Sequence, residues 1–120
     1  MEFDLTELAD FESGQLFAHQ QALWQNQVDY VARHSAFYQR LWAGITPPTD
    51  LADLASLPLS SKPELRASQA ASPPFGDYLA AEDRDVNRLH RTSGTTGQAM
   101  NLALSPRDCE ITETIGGRCQ

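Results

Sequence analysis

The first pattern along the chain is a helical one over residues 14–33. Its apolar positions recur at steps of three to seven residues, at Phe17, Trp24, Val28 and Val31. Such spacing places the apolar side chains on one face of an α-helix, and glutamines fill much of the remaining surface. We therefore predict an amphipathic helix over this stretch.

Two short helices are predicted next, and each follows a residue suited to cap its first turn. Ser35 precedes an aromatic stretch over residues 36–43, and Thr49 precedes a leucine-rich stretch that Pro58 ends. The aromatic residues recur at helical spacing, which favours packing in a core. An aromatic ligand-binding surface is the alternative for the set Trp24, Phe37, Tyr38 and Trp42.

The sequence Ser61-Lys62-Pro63-Glu64 has the form of a capping box. In this motif the serine oxygen accepts a backbone N–H three residues on, while the glutamate accepts the serine backbone N–H. Proline is tolerated in the first turn because no hydrogen bond is required of it there. We predict a helix from Lys62 to about Ser68, followed by a loop over residues 70–77.

Two strands are predicted in the second half of the chain. Residues 86–91 have a weak strand pattern, whereas Met100, Leu102 and Leu104 alternate with less apolar residues. A two-residue period is typical of a half-buried strand. The stretch 92–97 lies between them, so we predict a hairpin with this stretch in its loop.

Ser105 is suited to cap a final helix whose apolar stripe comprises Ile111, Ile115 and Cys119. No glycine cap or closing loop follows before Gln120. From this pattern we expect an element cut partway, with the helix and both strands lacking partners.

Composition narrows the function classes. The 120 residues carry a net charge of −7, and 41% of them are apolar, which is enough for a modest core. An acidic surface disfavours nucleic-acid and membrane-surface binding. No apolar run approaches the roughly 20 residues of a membrane helix, and the acidic N-terminus is unlike a signal peptide. A cytoplasmic location is therefore expected.

Neither a disulfide nor a metal site is predicted. Cys109 and Cys119 are ten residues apart, so in a helix they are separated by about 15 Å along the axis. A disulfide needs Cα atoms within roughly 7 Å. The three histidines are scattered, and neither cysteine has a neighbour at zinc-ligand spacing.

The candidate chemistry lies in Thr92–Gly97, which combines four hydroxyl side chains with two glycines. Glycine allows positive φ and close approach to a ligand, and consecutive backbone N–H groups can form an anion-binding concavity. A Walker A loop is excluded, because Gln98 stands where that motif has lysine. A plain hairpin turn is the alternative, since serine, threonine and glycine are common turn residues.

The order Thr-Ser-Gly-Thr-Thr-Gly resembles the phosphate-loop signature of the adenylate-forming superfamily of acyl-CoA synthetases, peptide-synthetase adenylation domains and luciferases. Several flanking stretches are similar to the phenylacetate–CoA ligase group within it, namely residues 35–40, 57–66, 74–76, 88–90 and 104–108. The resemblance runs from about Leu16 to the end of the chain.

This resemblance implies an α/β fold in which N-terminal helices precede a β-hairpin that carries a phosphate loop. The chain would be an incomplete, N-terminal part of the large AMP-binding domain. Its expected divisions are a poorly defined tail (1–15), a helical region (16–69), the hairpin with the phosphate loop (86–104) and a truncated helix (105–120).

The resemblance also implies a reaction. In the family the loop holds the β- and γ-phosphates of ATP while a carboxylic acid attacks the α-phosphate, and coenzyme A then displaces AMP. Mg²⁺ is expected with ATP because it offsets phosphate charge. The acid implied is an aryl or arylacetic acid. By resemblance the ATP-binding residues are Thr92, Ser93, Gly94, Thr95, Thr96 and Gly97.

The sequence departs from the family pattern in two respects. Family members often have a lysine soon after the last glycine, but Gln98 and Ala99 occupy these positions. Lys62, the only lysine, is predicted to begin a helix. In the family the acid pocket, the adenine contacts and the catalytic lysine lie downstream, so we predict no catalytic residue here and expect the chain alone to be inactive.

Alternatives remain open at this point. The parent protein is either an acid–CoA ligase or an enzyme that loads an acid onto a carrier protein, and a homodimer is one assembly left open for it. A competing hypothesis is that the chain is a non-catalytic product of a truncated gene. The loop is flanked by Arg88, His90 and Arg91. They either contact phosphate or are ordinary alternating strand residues with partners elsewhere, and the second interpretation is favoured.

Overall fold

The computed structural model describes residues 13–118 with the exception of Thr96. Helices precede and follow a two-stranded hairpin, as the sequence predicts. In chain order the elements are α1 Ser13–His34, α2 Ala36–Leu41, a 3₁₀ turn Leu51–Ser56, α3 Lys62–Ala71, a 3₁₀ turn Asp83–Asp85, β1 Arg88–Arg91, β2 Asn101–Leu104 and α4 Pro106–Arg118.

Helix α1 confirms the predicted helix and is fixed at its middle, although Phe17 of the predicted apolar face is exposed. Val28 is buried, and the Trp24 indole N–H donates to the carbonyl oxygen of Pro48 at 2.9 Å. The Gln21 amide oxygen accepts the N–H of Leu51 at 2.7 Å, which ties α1 to the first 3₁₀ turn. The helix begins at Ser13, one residue before the predicted start, and residues 1–12 of the expected tail lie outside the described residues.

Helix α2 begins as predicted at Ser35, whose side chain accepts the N–H of Tyr38 and is fully buried. Its first turn buries Phe37, which meets the rings of Tyr38 and Tyr78 edge-on. The aromatic residues of α2 therefore pack among themselves and in the core. Among the described residues, the other buried apolar ones are Val28, Leu57, Met100 and Cys109.

The predicted cap at Thr49 is wrong by one residue. Asp50 caps the 3₁₀ turn, because its side chain accepts the N–H of Ala52 at 2.9 Å, while the Thr49 carbonyl accepts the side-chain amide of Gln25. Both residue types cap well, so the local sequence did not separate them.

Helix α3 has the full capping box predicted for Ser61 and Glu64. The Ser61 N–H donates to the Glu64 carboxylate at 2.8 Å, and the Ser61 hydroxyl oxygen accepts the Glu64 N–H. The serine hydrogen bonds lower the pKa of Glu64. The helix continues to Ala71, three residues past the predicted end, because Ser68 and Gln69 are buried and hydrogen-bonded.

The hairpin is antiparallel, with Arg88 opposite Leu104 and Arg91 opposite Asn101. Strand β1 begins two residues later than predicted, because residues 83–85 form a 3₁₀ turn. The expected half-buried face of β2 is partly wrong, since Leu102 is 44% exposed although Met100 is 6% exposed. Both faces of the hairpin thus carry an exposed leucine, Leu89 on one and Leu102 on the other.

Helix α4 starts at Pro106 behind the predicted cap. The Ser105 hydroxyl oxygen accepts the Asp108 N–H at 3.2 Å, and the Asp108 carboxylate accepts the Ser105 N–H at 2.9 Å. Cys109 is buried, whereas Ile115 is half exposed. The predicted stripe position Cys119 lies outside the described residues. Over the described ranges, no helix combines the length and apolar content needed to cross a bilayer.

Candidate functional site

The hydroxyl-rich loop starts and ends on the last hydrogen bonds of the hairpin. The Thr92 N–H donates to the Met100 carbonyl at 3.0 Å, and the Met100 N–H donates to the Thr92 hydroxyl oxygen at 2.9 Å. Met100 is buried, so this base of the loop is held in the core. Thr92 therefore closes the loop with its oxygen and keeps its hydroxyl hydrogen available to donate.

A turn inside the loop depends on Gly94. Its φ is +64°, in the left-handed region that favours glycine, and its carbonyl accepts the N–H of Gly97 at 3.1 Å. A methyl group on Gly94 would lie 2.9 Å from the Gly97 carbonyl oxygen and 3.1 Å from the Ala99 nitrogen. Both are backbone atoms, so the loop has room here only for glycine.

Three consecutive N–H groups, those of Ser93, Gly94 and Thr95, make no hydrogen bond with any described residue. The same holds for the Ser93 and Thr95 hydroxyls, and both side chains are exposed. Thr96, the sixth residue of the predicted site, lies outside the described residues. The loop thus presents a cluster of neutral donors to solvent, which is suited to an anion rich in oxygen atoms.

Helix α3 holds the strand that leaves the loop through Gln69, a residue that the sequence patterns did not indicate. The buried Gln69 amide donates to the Ala99 carbonyl at 3.1 Å and accepts the Asn101 N–H at 2.7 Å. The Tyr78 hydroxyl lies 2.7 Å from the Asn101 carbonyl, and burial raises the pKa of Tyr78. Residues 99–101 are thereby fixed to the helical region.

Arg66, one turn earlier on α3, was also missed. Its Nε–H donates to the Gln98 carbonyl at 3.2 Å. The guanidinium lies beside Gly97, so that a methyl group on this glycine would be 3.5 Å from Arg66 Cζ. The one sequence signal that could have linked Arg66 with Gln69 is their spacing of three residues, which places both on one helix face.

A polar network around Asp77 joins α2 and α3. The Asp77 carboxylate accepts the Ser68 hydroxyl at 2.5 Å and both terminal nitrogens of Arg40, while its carbonyl accepts the Phe37 N–H at 3.0 Å. The Arg40 hydrogen bond, helped by Ser68 and opposed by partial burial, lowers the pKa of Asp77. The same contact raises the pKa of Arg40.

The Asp77 network predicts a pH dependence of stability. Because the folded-state pKa of Asp77 is lowered, its contribution is complete above the ordinary carboxyl pKa of about 3.9 and is lost as the pH falls below it. We expect Asp77→Asn to lower the free energy of unfolding at pH 6 by about 1.5–3 kcal/mol, in the range for hydrogen bonds to charged groups. Urea unfolding between pH 6 and pH 3 measures the difference.

The deficit of Asp77→Asn relative to wild type should shrink towards pH 3. Asp53→Asn is the matched control, because Asp53 is exposed in the first 3₁₀ turn and forms no ion pair with a described residue. This control should change the free energy of unfolding by less than about 0.5 kcal/mol. A deficit for Asp77→Asn that stays constant over the pH range would contradict a stabilising charged carboxylate.

The β1 residues Arg88, His90 and Arg91 form no side-chain hydrogen bond or ion pair with the described residues of the loop. Arg88 forms an ion pair with Glu113 of α4 at 3.0 Å, and His90 and Arg91 are exposed. Lys62 begins α3, as predicted. Within the described part of the chain, His, Cys, Asp and Glu side chains do not gather in groups of three that could hold a metal ion.

Comparison with known proteins adds to this geometry. No protein-family model matches the chain. Among curated proteins, the chain is similar to a phenylacetate–coenzyme A ligase of Thermus thermophilus, with 31% identity over 116 residues. The match covers 93% of the chain and 25% of the relative.

Two crystal structures of 2-hydroxyisobutyryl–CoA ligase are also similar, and both contain 2-HIB-AMP and CoA. The thioesterification state is 32% identical with a TM-score of 0.72, and the match covers 82% of this chain and 22% of that one. The open conformation is 28% identical with the same TM-score, and the match covers 90% and 28%. The chain thus spans about a quarter of the length of these relatives.

Proposed function

The chain belongs to the phenylacetate–CoA ligase group of the adenylate-forming superfamily, and on that premise we propose that it carries the phosphate loop of an ATP-dependent, AMP-forming acid–CoA ligase. The remaining parts of the site would come from a longer protein, since the relatives are about four times as long. The acid we propose is an aryl or arylacetic acid, in line with the Thermus thermophilus relative.

The observation that carries the proposal is the set of three consecutive N–H groups, at Ser93, Gly94 and Thr95, that have no partner among the described residues. A triphosphate offers many oxygen acceptors with negative charge, and such charge-assisted hydrogen bonds are the strong ones. The loop would hold the β- and γ-phosphates and keep the α-phosphorus in place for attack. Its contribution is positioning and stabilisation of charge.

The proposed chemistry balances without a residue of this chain as nucleophile. The carboxylate oxygen of the acid bonds to the α-phosphorus, the bond from that phosphorus to the bridging oxygen breaks, and pyrophosphate leaves with the electron pair. The sulfur of coenzyme A then bonds to the acyl carbon, the bond from that carbon to the phosphate oxygen breaks, AMP leaves with the electron pair, and the thiol proton passes to solvent. The hydroxyls of Ser93 and Thr95 and the loop N–H groups would bind the departing pyrophosphate.

Magnesium would enter with the nucleotide. The described residues hold no cluster of three carboxylate, imidazole or thiol ligands, whereas the oxygens of a triphosphate are ligands that Mg²⁺ prefers. When bound it would offset phosphate charge. The neutral donors of the loop fit a magnesium–triphosphate, because the cation would already offset part of the phosphate charge.

The exposed leucines support a place in a larger domain. Leu89 and Leu102 point to opposite faces of the hairpin and are 46% and 44% exposed, and Ile115 of α4 is 52% exposed. Apolar side chains on both faces of a strand pair are typical of a sheet covered on both sides. We propose that further strands and helices of the longer ligase cover them.

Pyrophosphate release from ATP tests the proposed function. We expect the longer protein to release pyrophosphate with phenylacetate or benzoate and to form the acyl-CoA, and the 120-residue chain to do neither. Comparison with 2-hydroxyisobutyrate identifies the preferred acid class. Acid-dependent pyrophosphate release without acyl-CoA formation would favour loading of a carrier protein, and no release with any acid would refute the ligase assignment.

Thr95→Ala tests the loop hydroxyls in the longer protein. Because a hydrogen bond to a charged group contributes about 1.5–3 kcal/mol, kcat/KM for ATP should fall roughly tenfold to hundredfold, with Thr95→Ser close to wild type. Thr46→Ala is the control, since Thr46 is an exposed threonine outside the hairpin. Steady-state kinetics with varied ATP give the comparison, and equal values for Thr95→Ala and wild type would exclude phosphate contact by this hydroxyl.

A further inference from the structure

Arg66 of α3 lies beside the end of the loop, next to Gly97 and Gln98. Its Nε–H bond to the Gln98 carbonyl fixes the root of the guanidinium against the strand that leaves the loop. The terminal nitrogens lie 3.6 and 3.8 Å from where a side-chain carbon of Gly97 would stand. Since Gly97 has no side chain, no side-chain atom of this residue stands between the guanidinium and the loop.

The terminal nitrogens of Arg66 are free to bind a ligand. A guanidinium has five N–H donors, and only the Nε–H of Arg66 has an acceptor among the described residues. No carboxylate within the described ranges forms an ion pair with it, whereas Arg33, Arg40, Arg84 and Arg88 each have one. Arg66 is nevertheless half-buried, so this unpaired charge lies partly away from solvent.

The charge of the loop itself gives Arg66 a role. The loop from Thr92 to Ala99 contains no charged residue, and the whole chain has a net charge of −7. Within the loop itself, a triphosphate would meet only neutral donors. Arg66 brings a cation to the end of the loop from another element, 31 residues before Gly97 in the sequence.

Building on the proposed function, we propose that Arg66 binds the terminal phosphates of ATP and of the departing pyrophosphate. The planar guanidinium can donate two parallel hydrogen bonds to one phosphate group, which a lysine at the loop end cannot do. Arg66 thereby links α3 to the ligand and to the Gln98 carbonyl at once. AMP lacks the β- and γ-phosphates, so its binding does not involve Arg66.

Calorimetric titration of the longer protein with ATP, pyrophosphate and AMP tests this assignment. For Arg66→Gln we expect the affinity for ATP and pyrophosphate to fall about tenfold to hundredfold, and the affinity for AMP to change less than about twofold. The loss should be smaller at high salt, because screening weakens the interaction of charges. Arg66→Lys keeps the charge and should retain ATP affinity to within about tenfold.

Arg84→Gln is the matched control, because Arg84 is an exposed arginine paired with Glu82 and the same unit of charge is removed. Its ATP and pyrophosphate affinities should equal those of wild type. Equal loss of ATP and AMP affinity in Arg66→Gln and Arg66→Lys would overturn the proposal and leave a structural role only. Unchanged ATP affinity in Arg66→Gln would overturn it too, whereas a wild-type protein that binds neither ATP nor pyrophosphate would refute the proposed function itself.

Discussion

Gly94→Ala in the longer protein is expected to lower kcat/KM for ATP by about a hundredfold. The added methyl would lie 2.9 Å from the Gly97 carbonyl oxygen and 3.1 Å from the Ala99 nitrogen. Since Arg66 and Gln69 hold the backbone at Gln98 and Ala99, the clash must be relieved by moving the donors of the loop. A displacement of about 1 Å in a positioning group can cost this much in rate.

Gly44→Ala separates the clash from the general cost of a left-handed residue. Gly44 has a φ of +76°, close to that of Gly94, but a methyl group there would meet nothing within 4 Å. We expect Gly44→Ala to lower the free energy of unfolding by about 1–2 kcal/mol and to leave the kinetics with ATP unchanged. Similar kinetic losses in both variants would show that the loop conformation is not what ATP requires.

Phe37→Ala is expected to lower the free energy of unfolding by about 3–5 kcal/mol. The Phe37 ring is 5% exposed and contacts Tyr78 edge-on, on the segment that leads to the hairpin. A loss of this size is comparable with the entire stability of many small domains. Urea unfolding of the chain, followed by the fluorescence of Trp24 and Trp42, measures it.

Phe17→Ala is the matched control on α1. It removes the same atoms from a ring that is 49% exposed, so the free energy of unfolding should change by less than about 1 kcal/mol. If the two variants unfold at the same urea concentration, the core does not lie around Phe37. The comparison is independent of the proposed ligase activity, because neither ring contacts the loop residues in any described interaction.

The starts of the helices were predictable because caps are local. Ser35, Ser61 and Ser105 each accept an N–H three residues on, and the residues that determine this contact are adjacent in the sequence. The exception is the first 3₁₀ turn, where Thr49 and Asp50 are both good caps and only the packing of α1 against residues 48–51 separates them.

Contacts between distant elements were not predictable. Arg66 and Gln69 bond with residues 98, 99 and 101, which are about 30 residues away in the chain, and no periodicity encodes such partners. Burial of Gln69 also explains why α3 continues beyond the predicted end at Ser68. Alternation at Leu102 predicted a buried face, but the described residues contain nothing that covers it.

The candidate site was predicted from a six-residue motif, and the structure gives separate roles to the described residues within it. Thr92 closes the base of the loop and Gly94 makes the turn, while Ser93, Gly94 and Thr95 carry the N–H groups that have no partner among the described residues. The sequence suggested that the site lacks a cation after Gly97. The fold brings one, Arg66, from α3.

A crystal structure of the longer protein with magnesium and a non-hydrolysable ATP analogue tests the central claim most directly. We expect β- and γ-phosphate oxygens within about 3 Å of the backbone nitrogens of Ser93, Gly94 and Thr95, with the Arg66 guanidinium on the same phosphates. A triphosphate bound elsewhere, with this loop facing empty solvent, would contradict it.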